Sequence, residues 1–276
     1  MVKLDLGVHI DGYIAVVAHT IVIGSPTFPE PKEEEATAGD VATAAYKAMQ
    51  VATAMIKVGA KNTEVTKAMD NVASAYGVKC ISNMKCHQMK RFVIDGKKQI
   101  ALTPPGEGDE KVEEIEFEAN EVYAIDIAMS TGEGKGRETG QRTTVFKRNV
   151  ENQYRLKMKA SRYLLNEVNA KHATMPFSLR MAGEERQAKM GVIECVQHGM
   201  LSPFQVFFEK NGAQVAQFKT TVLLLAGGTT KVTGLDLPEY FTTKKEISKE
   251  EGELLVAADA EAAKKLAKKN KKKGKK

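Results

Sequence analysis

No apolar run in this 276-residue chain approaches the roughly 20 residues that a helix needs to cross a bilayer. That excludes a helical membrane span. The chain opens with strand-like alternation rather than a charged and then apolar leader, so no signal peptide is expected. Cysteine is scarce. Cys80, Cys86 and Cys195 are the three, with no CxxC pair among them, and they read as free thiols of a reducing compartment. A GxxxxGK[ST] phosphate loop is also missing. Ser130-Thr131-Gly132-Glu133-Gly134-Lys135-Gly136 comes nearest, but no helix pattern follows it, and it reads as a glycine turn between strands.

Hydrophobic residues make up 42% of the chain, enough to bury a sizeable core in one large domain or two small ones. The net charge of +6 is an average over unlike parts. Residues 264–276 hold nine lysines and no acid, which leaves −3 for everything else. Arg142 to Lys189 holds eleven Lys and Arg against Glu151, Glu167, Glu184 and Glu185, so the remaining body carries −10. An acidic body with two basic regions points to a polyanionic partner more strongly than the total does.

Gly24 to Glu35 is rich in Pro and Glu and reads as a loop. Asp40 is placed to cap a helix reaching about Lys57, with Val41, Ala45, Ala48, Met49, Ala52 and Ile56 as its apolar stripe. After Gly59, Thr63 is placed to cap a second helix carrying Val65, Ala68, Met69, Val72 and Tyr76, stopped by Gly77. Val78 to Val93 reads as extended or irregular, and Leu102 to Glu118 as a Pro/Gly loop and an acidic stretch. Val122 to Met129 alternates as a strand with Val122, Ala124, Asp126 and Ala128 on one face. Helices follow at Ser161 to Lys171 and Glu184 to Gln197. Phe204 to Glu209 and Ala213 to Leu225 are then expected to form a hairpin about Asn211-Gly212. From Thr242 the chain is charged, with a helix expected over Glu250 to Ala267 and a disordered lysine tail after it.

The most informative stretch is Lys3-Leu4-Asp5-Leu6-Gly7-Val8-His9-Ile10-Asp11-Gly12 and the apolar residues beyond it. Asp11-Gly12 predicts a two-residue hairpin turn, which sets Gly7 opposite Val16 and makes Asp5 a diagonal neighbour of Val16. A carboxylate on the apolar face of a strand is costly to bury without a partner.

These residues resemble the first metal-ligand strand pair of the methionine aminopeptidase fold. More closely, the chain resembles the proliferation-associated, ErbB-receptor-binding protein family, which has that fold without its activity. Cys86-His87-Gln88-Met89-Lys90, Glu121-Val122-Tyr123-Ala124-Ile125-Asp126 with Ser130 to Lys135, and Ala216 to Leu224 agree in order and spacing over roughly residues 1–241. The resemblance implies an α/β pita-bread fold. It divides the chain into a first aminopeptidase-like part (1–142), a helix-helix-β-wing insert (143–212), the last strands of the main domain (213–241) and a lysine-rich tail (242–276). The family pattern has a further segment ahead of the strand pair. With that part absent, exposed apolar surface or a covering partner is expected.

Aminopeptidases of this fold hold two divalent metals with two aspartates, a histidine and two glutamates, and bridging carboxylates must screen the two cations from each other. By resemblance, Asp5 and His87 match the first aspartate and the histidine. Asp126 stands where the first glutamate belongs, Val16 where the bridging aspartate belongs, and Lys219 where the bridging glutamate belongs. Valine offers no lone pair, and lysine turns attraction for a dication into repulsion. The expectation is therefore no metal, no other cofactor and no catalytic residue, with the Lys219 ammonium paired to Asp5 and Asp126 in place of the metals.

The resemblance further implies a non-enzymatic regulator of translation, ribosome assembly and growth. It would bind RNA and dock on the large ribosomal subunit near the exit tunnel, contacting rRNA and ribosomal proteins, with other structured RNA and regulatory proteins as further partners. Its expected location is cytoplasmic, nuclear and nucleolar. Candidate contacts are Arg142, Lys147, Arg148, Arg155, Lys157, Lys159 and Arg162, with Tyr154 and Tyr163 among them able to stack. Lys268, Lys269, Lys271, Lys272 and Lys273 of the tail add sequence-independent attraction. The competing readings are a metallo-aminopeptidase removing N-terminal methionine and a scaffold whose vacated cleft holds a peptide.

Overall fold

The computed structural model describes residues 1–24, 36–82, 84–106, 110–138, 140–258 and 260. The Pro/Glu loop from Ser25 on and the lysine tail lie outside the described residues, while the expected C-terminal helix is seen over 249–258.

The chain begins with β1 (Val2–Ile10) and β2 (Tyr13–Ile21), joined at Asp11-Gly12. Both turn residues take positive φ, 51° and 82°, as a tight hairpin of this length requires. The register sets Gly7 against Val16 and Asp5 against Ala18. Helices α1 (Ala38–Met55) and α2 (Asn62–Ala75) follow. Next come β3 (Lys79–Cys80), β4 (Lys85–Met89), β5 (Gln99–Ala101), β6 (Glu121–Ser130), β7 (Arg137–Glu138) and β8 (Val145–Arg148). Then come α3 (Lys159–Lys171), β9 (Phe177–Ser178), α4 (Glu185–Gln197), β10 (Leu201–Pro203), β11 (Phe207–Phe208), β12 (Val215–Leu225) and β13 (Gly228–Lys231).

The main sheet runs β1-β2-β12-β6-β4-β5, with β13 added to β12 and β3 to β6. One face is covered by α1 and α2. Their buried Val41, Ala45, Ala48, Met49, Val65, Met69 and Val72 pack on Tyr123, Ile125, Ile127, Phe218 and Val222. Alternation along β6 and β12 turns the other side chains to the opposite face, and that face carries the candidate site. A second core is made only of residues between Phe146 and Leu201. It gathers Leu164, Val168, Ala188, Val192 and Cys195 over the small sheet β10-β8-β9.

Three local expectations are corrected. Thr37, not Asp40, is the N-cap of α1. Thr37 accepts from the Asp40 N–H at 2.9 Å and Asp40 accepts from the Thr37 N–H at 2.9 Å, a reciprocal capping box in which Asp40 is the third helical residue. Asp40 also binds Thr243, which draws the C-terminal segment over the helix start. Gly39 is required there, since a Cβ would lie 1.9 Å from the Thr242 carbonyl oxygen. The second correction concerns α2, which starts two residues earlier than expected with Lys61 at its N-cap; Thr63 instead donates to Glu114. The third is that β11 and β12 form no hairpin. Gly212 does sit in a turn, with φ 88°, but β11 pairs with β7, while β12 crosses into the main sheet between β2 and β6.

Candidate functional site

Four strands bring the site together. Asp5 on β1 faces Ala18 on β2, Ala18 faces Lys219 on β12, and Lys219 faces Asp126 on β6. Directly opposed residues in antiparallel strands share a sheet face, so Asp5, Lys219 and Asp126 lie in one row. The neighbouring row holds Gly7 against Val16 and, farther along, Thr221 against Ala124 and Ala124 against His87. All five positions named from the sequence thus share one face.

Lys219 closes the row. Its Nζ lies 2.6 Å from Asp5 Oδ2 and 2.9 Å from Asp126 Oδ2. The Lys219 and Asp126 side chains are 14% and 17% exposed, and Asp5 is 48% exposed at the open end of the row. Burial alone would lower the Lys219 pKa. The charges of Asp126 and Asp5 and the hydrogen bonds to them outweigh it and hold the ammonium above the ordinary lysine value. Gln217 Nε2 donates to the other Asp126 oxygen at 2.8 Å, so both oxygens of this half-buried carboxylate have partners.

Where a metal-bridging carboxylate would stand, Val16 contributes only its backbone. Thr221 Oγ1 accepts from the Val16 N–H at 2.8 Å and donates to the Val16 carbonyl at 3.0 Å, and Thr233 Oγ1 donates to the same carbonyl at 2.6 Å. These hydroxyls clasp β2 to β12 beside the ion-paired row. His87 touches neither carboxylate within bonding distance. Its Nδ1 is buried without a hydrogen-bond partner, and burial, only partly opposed by Asp95, Gly96 and Asp126, lowers its pKa. Cys86 next to it is fully buried, exchanges hydrogen bonds with the Asp126 backbone, and has its thiol pushed up to about 12 by burial. No group of three His, Cys, Asp or Glu that could hold a metal occurs among the described residues. The donor set therefore does not fit a two-metal centre: one ammonium occupies the space between the carboxylates. Sequence reasoning missed Thr233, which carries no local signal because its clasp depends on how β13 folds back. Gln217 shares the Lys219 face by strand alternation, but its bond to Asp126 depends on the pairing of β12 with β6 and carries no local signal.

The basic candidates fall into two groups. Arg142, Arg155, Lys157, Lys159 and Arg162 are exposed; Lys147 is tied to Asp95, and Arg148 is half-buried with its Nε covered. Arg162 folds back onto the carbonyls of Leu156 and Lys157 at 3.1 and 2.7 Å. The two tyrosines are engaged: Tyr154 stacks on His198 at 3.5 Å between ring centres, and Tyr163 accepts from the Glu184 N–H. Glu194 of α4, itself buried, accepts from the N–H groups of Lys157 and Met158 at 2.7 and 3.1 Å and so caps α3 from a distance. The glycine stretch is a concavity of backbone N–H groups filled by the chain itself. Gly134 and Lys135 both donate to Glu209 Oε2, at 2.9 and 3.1 Å.

Residues 1–150 match the model of metallopeptidase family M24. The chain belongs to that family. Its relatives include proliferation-associated proteins and, at 28% identity over 84% of this chain, the "Methionine aminopeptidase" of Archaeoglobus fulgidus. The chain is 40% identical to "Proliferation-associated protein A" of Dictyostelium discoideum, over 98% of this chain and 69% of that protein. It is 43% identical to "ERBB-3 binding protein 1" of Solanum tuberosum, over 100% of this chain and 69% of that protein. Among solved structures, that of a thermophilic Arx1 superposes with a TM-score of 0.78 at 30% identity, covering 92% of this chain and 72% of that one. The fold is the M24 pita-bread fold.

Proposed function

We propose that this M24 chain is not a peptidase but a regulator that binds RNA and the large ribosomal subunit near the exit tunnel, acting in translation and ribosome assembly. The observation that carries the non-enzymatic part is the Lys219 ammonium lying 2.6 and 2.9 Å from the two carboxylates that would otherwise hold metal. A cation fixed there opposes a dication directly, and with Val16 no bridging oxygen remains beside it. The ribosomal part rests on the family resemblance and on charge. Arg155, Lys157 and Lys159 stand exposed at the start of α3, which has no acid in its first turn. Cations at a helix N-terminus oppose the helix dipole, so this placement costs local stability and supports an anionic partner.

The lysines of the tail supply attraction without register, in keeping with a nucleolar as well as a cytoplasmic location. Ribosome cosedimentation at about 50 and 200 mM salt, a range over which several phosphate contacts change affinity by orders of magnitude, tests the reading. Reversing Arg155, Lys157 and Lys159 to Glu removes ribosome preference and leaves weak, tail-driven binding to any RNA. Deleting residues 264–276 weakens binding to ribosomes and to arbitrary RNA alike. Cosedimentation of the charge-reversed protein at parental levels at both salts overturns the insert as docking surface.

A further inference from the structure

The core of the insert uses only residues between Phe146 and Leu201, and the chain on either side of it forms the paired strands β7 and β11. Beyond that ribbon, two parts of the insert reach loop 90–96, the connection between β4 and β5. Lys147 on β8 forms an ion pair with Asp95. Thr174, between α3 and β9, donates a hydrogen bond to the Phe92 carbonyl. Phe146 belongs to the insert's own core, so alternation along β8 turns the next side chain, Lys147, out of the insert and toward the loop.

The loop is built to keep its shape. Phe92 has φ 60°, a left-handed conformation that a bulky residue adopts only where its surroundings enforce it. Here Lys90 and Val93 exchange backbone hydrogen bonds of 2.8 and 2.9 Å across it, and the Phe92 N–H donates to the Gly12 carbonyl at 2.9 Å. The Phe92 ring lies against Gly12, where a Cβ would come within 2.6 Å of it. Arg91 is engaged by the same turn, paired with Asp11 and donating to the Asp11 carbonyl at 3.0 Å. Gly96 closes the loop: its N–H donates to the Gln88 carbonyl at 2.9 Å, and a Cβ would lie 2.6 Å from that oxygen. A carboxylate on so fixed a loop presents its charge at one place.

What Asp95 holds is a cation of the basic region. Arg142 to Lys189 carries a net +7, and Asp95 belongs to the body that carries −10. We propose that loop 90–96 is an autoinhibitory latch: Asp95 occupies Lys147 in the place of an RNA phosphate, and RNA on the insert gains that contact only by displacing it. This inference rests on the RNA-binding reading of the insert and adds its regulation. The Asp95 side chain is 49% exposed in the pair and Lys147 21%. A pair this open is weak and screened by salt, whereas a phosphate contact also releases counterions, so a polyanion can win the exchange. Thr174 holds the same loop without charge. The latch therefore has one arm that a polyanion competes for and one that it does not.

Fluorescence anisotropy of a labelled single-stranded RNA tests it, in about 0.1 M salt, where exposed charges more than about 10 Å apart are largely screened. Asp95→Asn should tighten binding by a factor of about two to five, the range that an exposed ion pair spans. Glu64→Gln removes the same charge from an exposed position on α2 and should change binding little. In a Lys147→Ala background, Asp95→Asn should bring no gain. Thr174→Val removes the neutral arm at constant charge and nearly constant shape, and should also tighten binding. A gain from Asp95→Asn no larger than that from Glu64→Gln, or one that persists without Lys147, overturns the latch while RNA binding stands. So does parental binding by Thr174→Val. RNA binding absent from the parent and from Asp95→Asn alike overturns the RNA-binding reading of the insert, and this inference with it.

Discussion

Replacing Lys219 by methionine keeps most of the aliphatic stem and removes the ammonium, which isolates the electrostatic role of this side chain. Two carboxylates then lose their partner, but unequally. Asp5 is 48% exposed and water replaces much of what it loses, so its share is close to that of a surface pair, about 0.2–1 kcal/mol. Asp126 is 17% exposed, and breaking a buried pair from one side costs about 3–5 kcal/mol. Asp126 keeps its bond from Gln217 at 2.8 Å, which reduces that figure. The expected loss is about 2–4 kcal/mol, or a fall in Tm of roughly 5–15 °C for a chain of this size. The assay is thermal unfolding followed by circular dichroism.

The pH dependence follows from the raised pKa of Lys219. A cation held above its unfolded value contributes fully below that value, about 10.4, and loses its contribution as pH rises through the folded one. The gap between parent and Lys219→Met should therefore stay open at neutral pH and close only in strongly alkaline solution. An unchanged Tm, or a gap already closed at about pH 9, refutes the pairing as a source of stability.

Three further outcomes are expected. Titration of His87 by NMR should show it neutral down to pH values below the ordinary 6.5 or so of histidine, since burial lowers its pKa; stability that depends on it is then present above that range and declines as pH falls below it. A midpoint above the ordinary value would contradict the buried, unpartnered Nδ1. The parent should bind no stoichiometric divalent metal by elemental analysis, whereas Val16→Asp/Lys219→Glu, which restores two carboxylates beside Asp5 and Asp126, should take up cobalt or manganese in calorimetric titration. Equal binding by both proteins would show that Lys219 does not exclude the metals. Thr37→Ala should cost about 1 kcal/mol by removing the cap of α1, read as a modest fall in Tm, and an unchanged melt would return the capping role to Asp40 alone.

What the sequence makes legible here is local chemistry and face, and what it hides is strand partnership. Asp11-Gly12 defines a turn by the positive φ that both residues must adopt, and the register of β1 with β2 follows by counting back from it. Asn211-Gly212 carries a similar signal, and Gly212 does take positive φ. The turn there does not join two paired strands, because β12 gains more by burying Ala216, Phe218, Val222 and Leu224 between β2 and β6 than by pairing with short β11. That choice depends on residues nearly two hundred positions away, such as Thr20, which bonds Gln217 at 2.8 Å. Thr37 and Asp40 were confused for a different reason. A capping box uses both side chains reciprocally, so the pattern marks the helix start without saying which residue is the cap. The partners of Lys219 could be named beforehand because alternation fixed its face and the family resemblance supplied the strands on either side.

The row Asp5–Lys219–Asp126 also explains why two carboxylates persist on this face when no metal is needed to hold them. Once Lys219 is present, no member can be removed alone without leaving a half-buried charge. The set can be exchanged only together, and buried ion pairs replaced as a set by apolar residues of similar volume are often neutral or stabilising. This separates two accounts of the row. If its value lies in the charges being mutually satisfied, Lys219→Met/Asp126→Asn should recover much of what Lys219→Met loses, because Gln217 can donate to the asparagine oxygen as it does to Asp126. The double-mutant cycle would then show strong coupling, as expected for residues in direct contact. If the value lies instead in the packing of the lysine stem between β2 and β6, the second substitution restores nothing and the two losses add. The short contacts from Nζ to both aspartates favour the first account. They make the row a clamp that joins β1, β12 and β6 through one side chain.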